Sequence, residues 1–121
     1  MQEPISILSV NKNQSNLKLL AQLLGENGFQ SLNVSSLAEF DQAVAGANKI
    51  ALALVDITGF DRSIWERCEL LRTQSIPLIV VSPKQSASIR QESLAHGADS
   101  LLVKPLITRE LLGLIRHLLA S

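Results

Sequence analysis

Six consecutive apolar residues, Ile50 to Val55, run straight into an aspartate, Asp56. A strand apolar at every position cannot leave one face to water, so it belongs in the middle of a parallel sheet with helices on both sides. Other short apolar runs, Ile5 to Val10, Phe29 to Val34, Leu78 to Val81 and Ser100 to Val103, alternate with segments whose apolar residues recur every three or four positions. Such alternation is the pattern of strands each followed by a helix. The expectation is an α/β fold, a (βα)5 doubly wound parallel five-stranded sheet, in one domain over residues 1–121.

The helical segments carry their own boundary signals. Leu17, Leu20, Ala21 and Leu24 form one face of a first helix that Asn13 caps and that stops near Gly25 or Gly28. Ser36-Leu37-Ala38-Glu39 is a capping box, with Ser36 as cap and Glu39 reaching back, ahead of a stripe of Leu37, Phe40, Val44 and Ala47. Beyond the turn Thr58-Gly59-Phe60-Asp61, a third helix carries Ile64, Cys68 and Leu71 and ends before Ile76-Pro77. Ser86 to His96 is a fourth helix stopped at Gly97, and Thr108 is the expected cap of a fifth carrying Leu111, Leu112, Ile115 and Leu119. Helices two and four are the shorter and more polar.

Composition narrows the function classes. Hydrophobic residues make up 46% of 121, enough to bury a core, and Lys+Arg and Asp+Glu are 11 each. A net charge of zero gives no global attraction to nucleic acid or to an anionic membrane. The start, Met1 to Val10, lacks the basic and long apolar stretches of a secretory signal, and no apolar run reaches the ~18 residues of a membrane span, so the expectation is a cytoplasmic protein. The lone Cys68 has no disulfide partner and is read as core filler.

In a parallel sheet of this type chemistry collects at the carboxyl ends of the strands. Here those ends are Asn11-Lys12-Asn13, Asp56, Ser82 and Lys104-Pro105. Taken singly, each has an ordinary explanation: Asp56 can start a turn, Ser82 can end a strand, and Lys104 can be a solvated cation. Leu54-Val55-Asp56, Ile76-Pro77-Leu78-Ile79-Val80-Val81-Ser82, Gly97-Ala98-Asp99 and Leu102-Val103-Lys104-Pro105 together, in this order, resemble the receiver domains of two-component response regulators, the CheY-like superfamily. The likeness runs from about Ile5 to Leu119. It implies a flavodoxin-like sheet with strand order 2-1-3-4-5. It also implies that Asp56 is the phosphoacceptor candidate, that Ser82 and Lys104 are the phosphoryl-contact candidates, and that the Lys104-Pro105 bond is cis.

The chain departs from that family in three places. Two acidic residues after strand one normally bind magnesium with the acceptor aspartate, and here those positions are Asn11 and Lys12, a degenerate metal site. Magnesium prefers carboxylate oxygens, so weak or absent magnesium binding is expected, with no other metal or cofactor. Lys12 either points into solvent or pairs with Asp56. The pairing is favoured, because at ~4 Å and an effective dielectric near 20 it is of order 4 kcal/mol before desolvation. The switch position of strand five, usually aromatic, is Leu101. Phe60 stands where the loop after strand three usually has proline, leaving the conformation of Thr58 to Asp61 open.

The leading reading is therefore a non-enzymatic signalling module, a pseudo-receiver acting through protein partners, either a histidine kinase or a downstream output domain. Its contact face would be helix four, strand five and helix five, with Arg90, His96, Arg109, Arg116 and His117 as exposed candidates, and a homodimer is a further option. Trp65, on helix three, is read as partly buried packing. The alternative is a working phosphoacceptor, phosphorylated on Asp56 by a histidine kinase through a site remodelled around Asn11 and Asn13. A flavin or nucleotide enzyme on the same fold finds no support: the chain has no glycine-rich phosphate loop, no tyrosine and 3% aromatic residues. The chain stops at Ser121 just after the last helix, where receivers are commonly joined to output domains, so an excised domain is one reading.

Overall fold

The computed structural model describes residues 4–46 and 49–120. Five strands and five helices alternate: β1 Ile5–Val10, α1 Gln14–Glu26, β2 Phe29–Val34, α2 Leu37–Ala45, β3 Ile50–Asp56, α3 Ser63–Thr73, β4 Leu78–Ser82, α4 Ala87–Ala95, β5 Ser100–Val103 and α5 Thr108–Ala120. All pairings are parallel and the sheet order is β2-β1-β3-β4-β5. The expected fold and strand order are those observed.

The apolar run of β3 is covered on both faces, and the two-residue period of a strand divides its side chains between two cores. Ala53 and Val55 pack with Phe40, Ile64, Cys68 and Leu71 beneath α2 and α3. Leu52 and Leu54 pack with Leu24, Leu111, Leu112 and Ile115 beneath α1 and α5. Each fully buried Leu or Ile is worth roughly 1.5 to 3 kcal/mol, so these two layers, one on each face, hold the sheet flat against its helices. Cys68 is part of the first layer, and burial pushes its thiol up to about 12, which leaves it protonated filler.

Most helix boundaries follow the local signals. Asn13, Ser36 and Ser86 each accept a bond from the amide three residues on, Asn16, Glu39 and Ile89. Helix α1 passes through Gly25 and ends at Glu26, with Gly28 in the left-handed region at φ 86°. Two expectations are corrected. Glu39 does not return to the Ser36 amide; its carboxylate accepts from the Ser35 amide at 2.7 Å and the Ser35 hydroxyl at 3.0 Å, one residue earlier, where the chain turns. Thr108 is not the cap of α5 but its first residue, because the Leu111 amide already bonds to the Ile107 carbonyl at 3.0 Å. Ala47, expected on the buried stripe of α2, lies outside the described residues.

The end of α4 shows why one glycine is required. The Ala98 amide bonds to the Ser93 carbonyl and the Gly97 amide to that of Leu94, the two bonds of a Schellman ending, with Gly97 at φ 96°. A methyl group added there would also lie 2.7 Å from Arg72 Cδ and 2.8 Å from Arg72 Cβ. Gly97→Ala is expected to cost about 2 kcal/mol, the left-handed penalty plus displacement of Arg72, as a lower urea midpoint with unchanged slope.

Three carboxylates, Glu39 and Asp61 exposed and Glu92 half-buried, are held below their ordinary values: Glu39 by the Ser35 amide, Asp61 by the hydroxyl and amide of Ser63, and Glu92 by the Arg62 guanidinium. A depressed native value stabilises the fold above the ordinary values of 4.5 and 3.8, and that contribution is lost as pH falls through the native ones. Thermal unfolding should therefore move to lower temperature below about pH 4.5 and stay level just above it.

Candidate functional site

The strands deliver their last residues to one level because the ladder continues one bond past each. The Asn11 amide bonds to the Val34 carbonyl, Ile57 to Val81 and Lys104 to Ser82, at 3.1, 3.1 and 2.9 Å. Asp56, the last residue of β3, thus stands between the segment after β1 and the end of β4, and is 7% exposed.

Its carboxylate is engaged on both oxygens. Oδ1 accepts from the Thr58 amide at 3.0 Å, a turn that an aspartate makes with the residue two positions on. Oδ2 accepts from Lys104 Nζ at 2.6 Å and from Asn11 Nδ2 at 3.2 Å. The Asn11 carbonyl is occupied in turn, accepting from the Asn13 amide at 2.9 Å, which leaves the amide nitrogen facing Asp56. Lys104 also donates to the Thr58 hydroxyl at 3.1 Å, and its peptide bond to Pro105 is cis. At 2.6 Å and an effective dielectric near 20, the ion pair is worth about 6 kcal/mol before desolvation, which takes back most of it.

The other candidates sit differently. Ser82 is fully buried, and its hydroxyl donates to the Lys84 carbonyl at 2.6 Å rather than pointing at Asp56. Leu101 is half-buried on β5 against the core beneath α2 and α3. The favoured pairing of Lys12 with Asp56 is corrected: the Lys12 ammonium stands over the Phe60 ring, 5.1 Å from its centroid, and the cation on Asp56 is Lys104. Lys12 is one residue too far along the chain turning outward after β1, and Asn11 takes the inward position. Thr58, which contributes an amide and a hydroxyl, was not singled out from sequence, although an Asp-x-Thr turn is a local signal that could have done so.

The segment after β3 is settled by Phe60. Its amide donates to the Ile57 carbonyl at 3.1 Å, and Gly59 has φ 81°, as a type II turn requires at its third residue. A proline at position 60 has no N–H to close that turn.

These residues do not fit magnesium. The Asn11 oxygen is used by Asn13, its nitrogen is a donor, and Lys12 brings a positive charge to the same loop. Among the described residues no three His, Cys, Asp or Glu side chains come together as a metal cluster. A cleft of about 550 Å³ opens over Asp56 between α1 and α5, walled by Leu20, Leu23 and Leu111 with Asn11 and Lys104 at its floor.

The expected contact face is less free than the sequence suggests. His96 lies between Glu69 and Glu92, at 3.2 and 3.1 Å, and stacks on Trp65, itself 7% exposed, with ring centroids 5.8 Å apart. Arg116 is bonded to Asn27 at the end of α1. Among the described residues no helix is long and apolar enough to cross a membrane.

No family model matches the chain. It is 34% identical over 118 residues to the transcriptional regulatory protein GltR of Pseudomonas aeruginosa, and 35% identical over 119 to the sensory transduction protein RegX3 of Mycobacterium tuberculosis. Each alignment covers 94% of this chain, and the chain spans about half the length of these curated relatives, 48% and 50%. Among solved structures it is similar to a response regulator receiver domain protein (CheY-like) from Methanospirillum hungatei, with a TM-score of 0.88, 26% identity and coverage of 98% of this chain and 95% of that one. A pilus assembly protein (cpaE) from Burkholderia thailandensis shares the fold at a TM-score of 0.83 and 23% identity, covering 97% and 99%.

Replacing Lys104 by Met leaves the Asp56 carboxylate with amide donors alone. Because Lys104 is partly exposed, the expected cost is about 1 to 2 kcal/mol, between exposed and buried ion pairs. Adding Asp56→Asn should recover about 1 kcal/mol of it in a double-mutant cycle read by urea unfolding.

Proposed function

We propose that this chain, a CheY-like receiver domain of the response-regulator class and so a signalling module and not an enzyme, works with a degenerate phosphorylation site and signals through protein contact. The observation that carries this reading is the Asn11 amide donating to Asp56 Oδ2, where the family has a carboxylate for magnesium. Phosphoryl transfer to an aspartate needs a free oxygen lone pair and a cation to offset repulsion from the incoming phosphate. Here Oδ2 takes two donors and Oδ1 a third, so three of the four acceptor sites of the carboxylate are taken and the cation beside it is Lys104. Asp56 is on this view a charge that Lys104 pairs and Asn11 hydrogen-bonds, holding one conformation of the strand ends without magnesium.

The partners we infer are proteins, a histidine kinase or an output domain, meeting the face of α4, β5 and α5. Exposed apolar side chains support that face: Leu94 at 56%, Ile107 at 54% and Leu106 at 38%. A homodimer through the same face is the isologous version of this contact. A second reading, a working phosphoacceptor, is favoured by Lys104 at 2.6 Å from Asp56 and by Ser82 at the end of the adjoining strand. It requires the Ser82 hydroxyl to leave the Lys84 carbonyl and Asn11 to release Oδ2.

The two readings separate in a proton-nitrogen correlation spectrum recorded with millimolar magnesium and then beryllofluoride. The expectation is unshifted amides at Asp56, Ser82 and Lys104. The double variant Asn11→Asp with Lys12→Asp should acquire magnesium-dependent shifts at the same amides. Beryllofluoride shifts in the unaltered domain would establish the working phosphoacceptor instead.

A further inference from the structure

Two of the chain's departures from its family meet in space. Lys12 leaves the end of β1 and Phe60 closes the turn after β3, and the ammonium of the first stands 5.1 Å from the ring centroid of the second. The ring is anchored from behind, half-buried against the core beneath α2 and α3. Its amide is fixed to Ile57, so the face offered to the cation is held in place. Between them lies Gly59, where a methyl group would come within 3.3 Å of Lys12 Cδ; the bare backbone gives the lysine stem its path across the turn. Asp61, next along, feels the same charge: its carboxyl is lowered mainly by Ser63, with a smaller contribution from Lys12.

In the family a dication bridges the acidic residues after strand one to the aspartate ending strand three. Here that loop offers no carboxylate and its Asn11 oxygen is taken by the Asn13 amide, yet the two segments are still joined, by the Asn11–Asp56 bond and, one residue further out, by Lys12 on Phe60. An ammonium cannot be coordinated like magnesium, but it can rest on an aromatic face, whose quadrupole attracts cations. A proline at position 60 would offer no such face.

We propose that Lys12 and Phe60 form a clip that supplies the joining role magnesium has in the family, tying the segment after β1 to the segment after β3 and keeping Asn11 over Asp56. Lys12 and Phe60 are positioning residues, acting on Asp56 through Asn11 and the turn. The clip rests on the proposed metal-independent site but makes a separate claim, that the tie is supplied by this pair.

Amide hydrogen exchange in metal-free buffer tests it, because each segment carries a reporter. The Asn13 amide is bonded to Asn11 Oδ1, and the Phe60 amide to the Ile57 carbonyl. Lys12→Met, which keeps the apolar stem, should speed exchange of the Phe60 amide. Phe60→Leu, which keeps bulk and loses the ring, should speed exchange of the Asn13 amide in the segment after β1. Each effect should be about twofold to fivefold, the ratio an exposed cation–π contact supplies. The double variant should exchange no faster than either single one, and Lys12→Arg and Phe60→Trp should restore wild-type rates. Changes confined to the mutated segment, additive singles, or Phe60→Trp behaving as Phe60→Leu would overturn the clip. Lys12 is exposed, so its variants fold whatever happens at Phe60. Beryllofluoride shifts alongside a non-additive cycle would discard the degenerate site and keep the clip; no shifts with an additive cycle would do the reverse.

Discussion

Everything at the site depends on β3 being buried on both faces. A strand with Leu52 and Leu54 in one core and Ala53 and Val55 in the other cannot slide or rotate without exposing one set of side chains. Its last residue is therefore carried to a fixed point, and that residue is a carboxylate with 7% of its surface exposed. A charge at such a point must be answered by neighbouring donors or become protonated. Thr58, Asn11 and Lys104 answer it, from the turn that follows and from two other strand ends.

That answer gives the domain its character. Were the residue after β1 a carboxylate, it would repel Asp56 rather than donate to it. With an amide there, the attraction is built into the chain, which is the basis of the proposed metal-independent site. The same logic extends outward. Lys12 would raise the positive charge around a metal, and it is instead carried over Phe60, whose amide closes the turn and whose ring receives the cation. Asn11, Lys12 and Phe60 are consistent with one another, since the amide faces the carboxylate and the ammonium rests on a ring.

Much of this was legible in the residues. The five strands, the five helices, the caps at Asn13 and Ser36 and the identity of Asp56 and Lys104 as strand-end residues all follow from local pattern, whereas Ser86, expected as the first residue of the fourth helix, is its cap. The misjudged features share a cause. Glu39 chose the Ser35 amide over that of Ser36, and Ile107 precedes α5 in place of Thr108, because the path of the chain entering each helix decides which amide is within reach. Lys12 was assigned to Asp56 on charge alone. Yet Lys104 approaches from the far side of β4, at 2.6 Å, and takes that position.

The sequence by itself determined the sheet, its order through the resemblance, and which residues end the strands, because periodicity and capping are written within a few positions of the residue they govern. Only the tertiary structure decided which donors reach the carboxylate, that the Ser82 hydroxyl turns to Lys84, and that Lys12 rests on an aromatic ring. Those contacts join residues that are distant in the chain, such as positions 11, 56 and 104. Their partners are chosen by where β1, β3 and β5 end in space, and no local pattern carries that information.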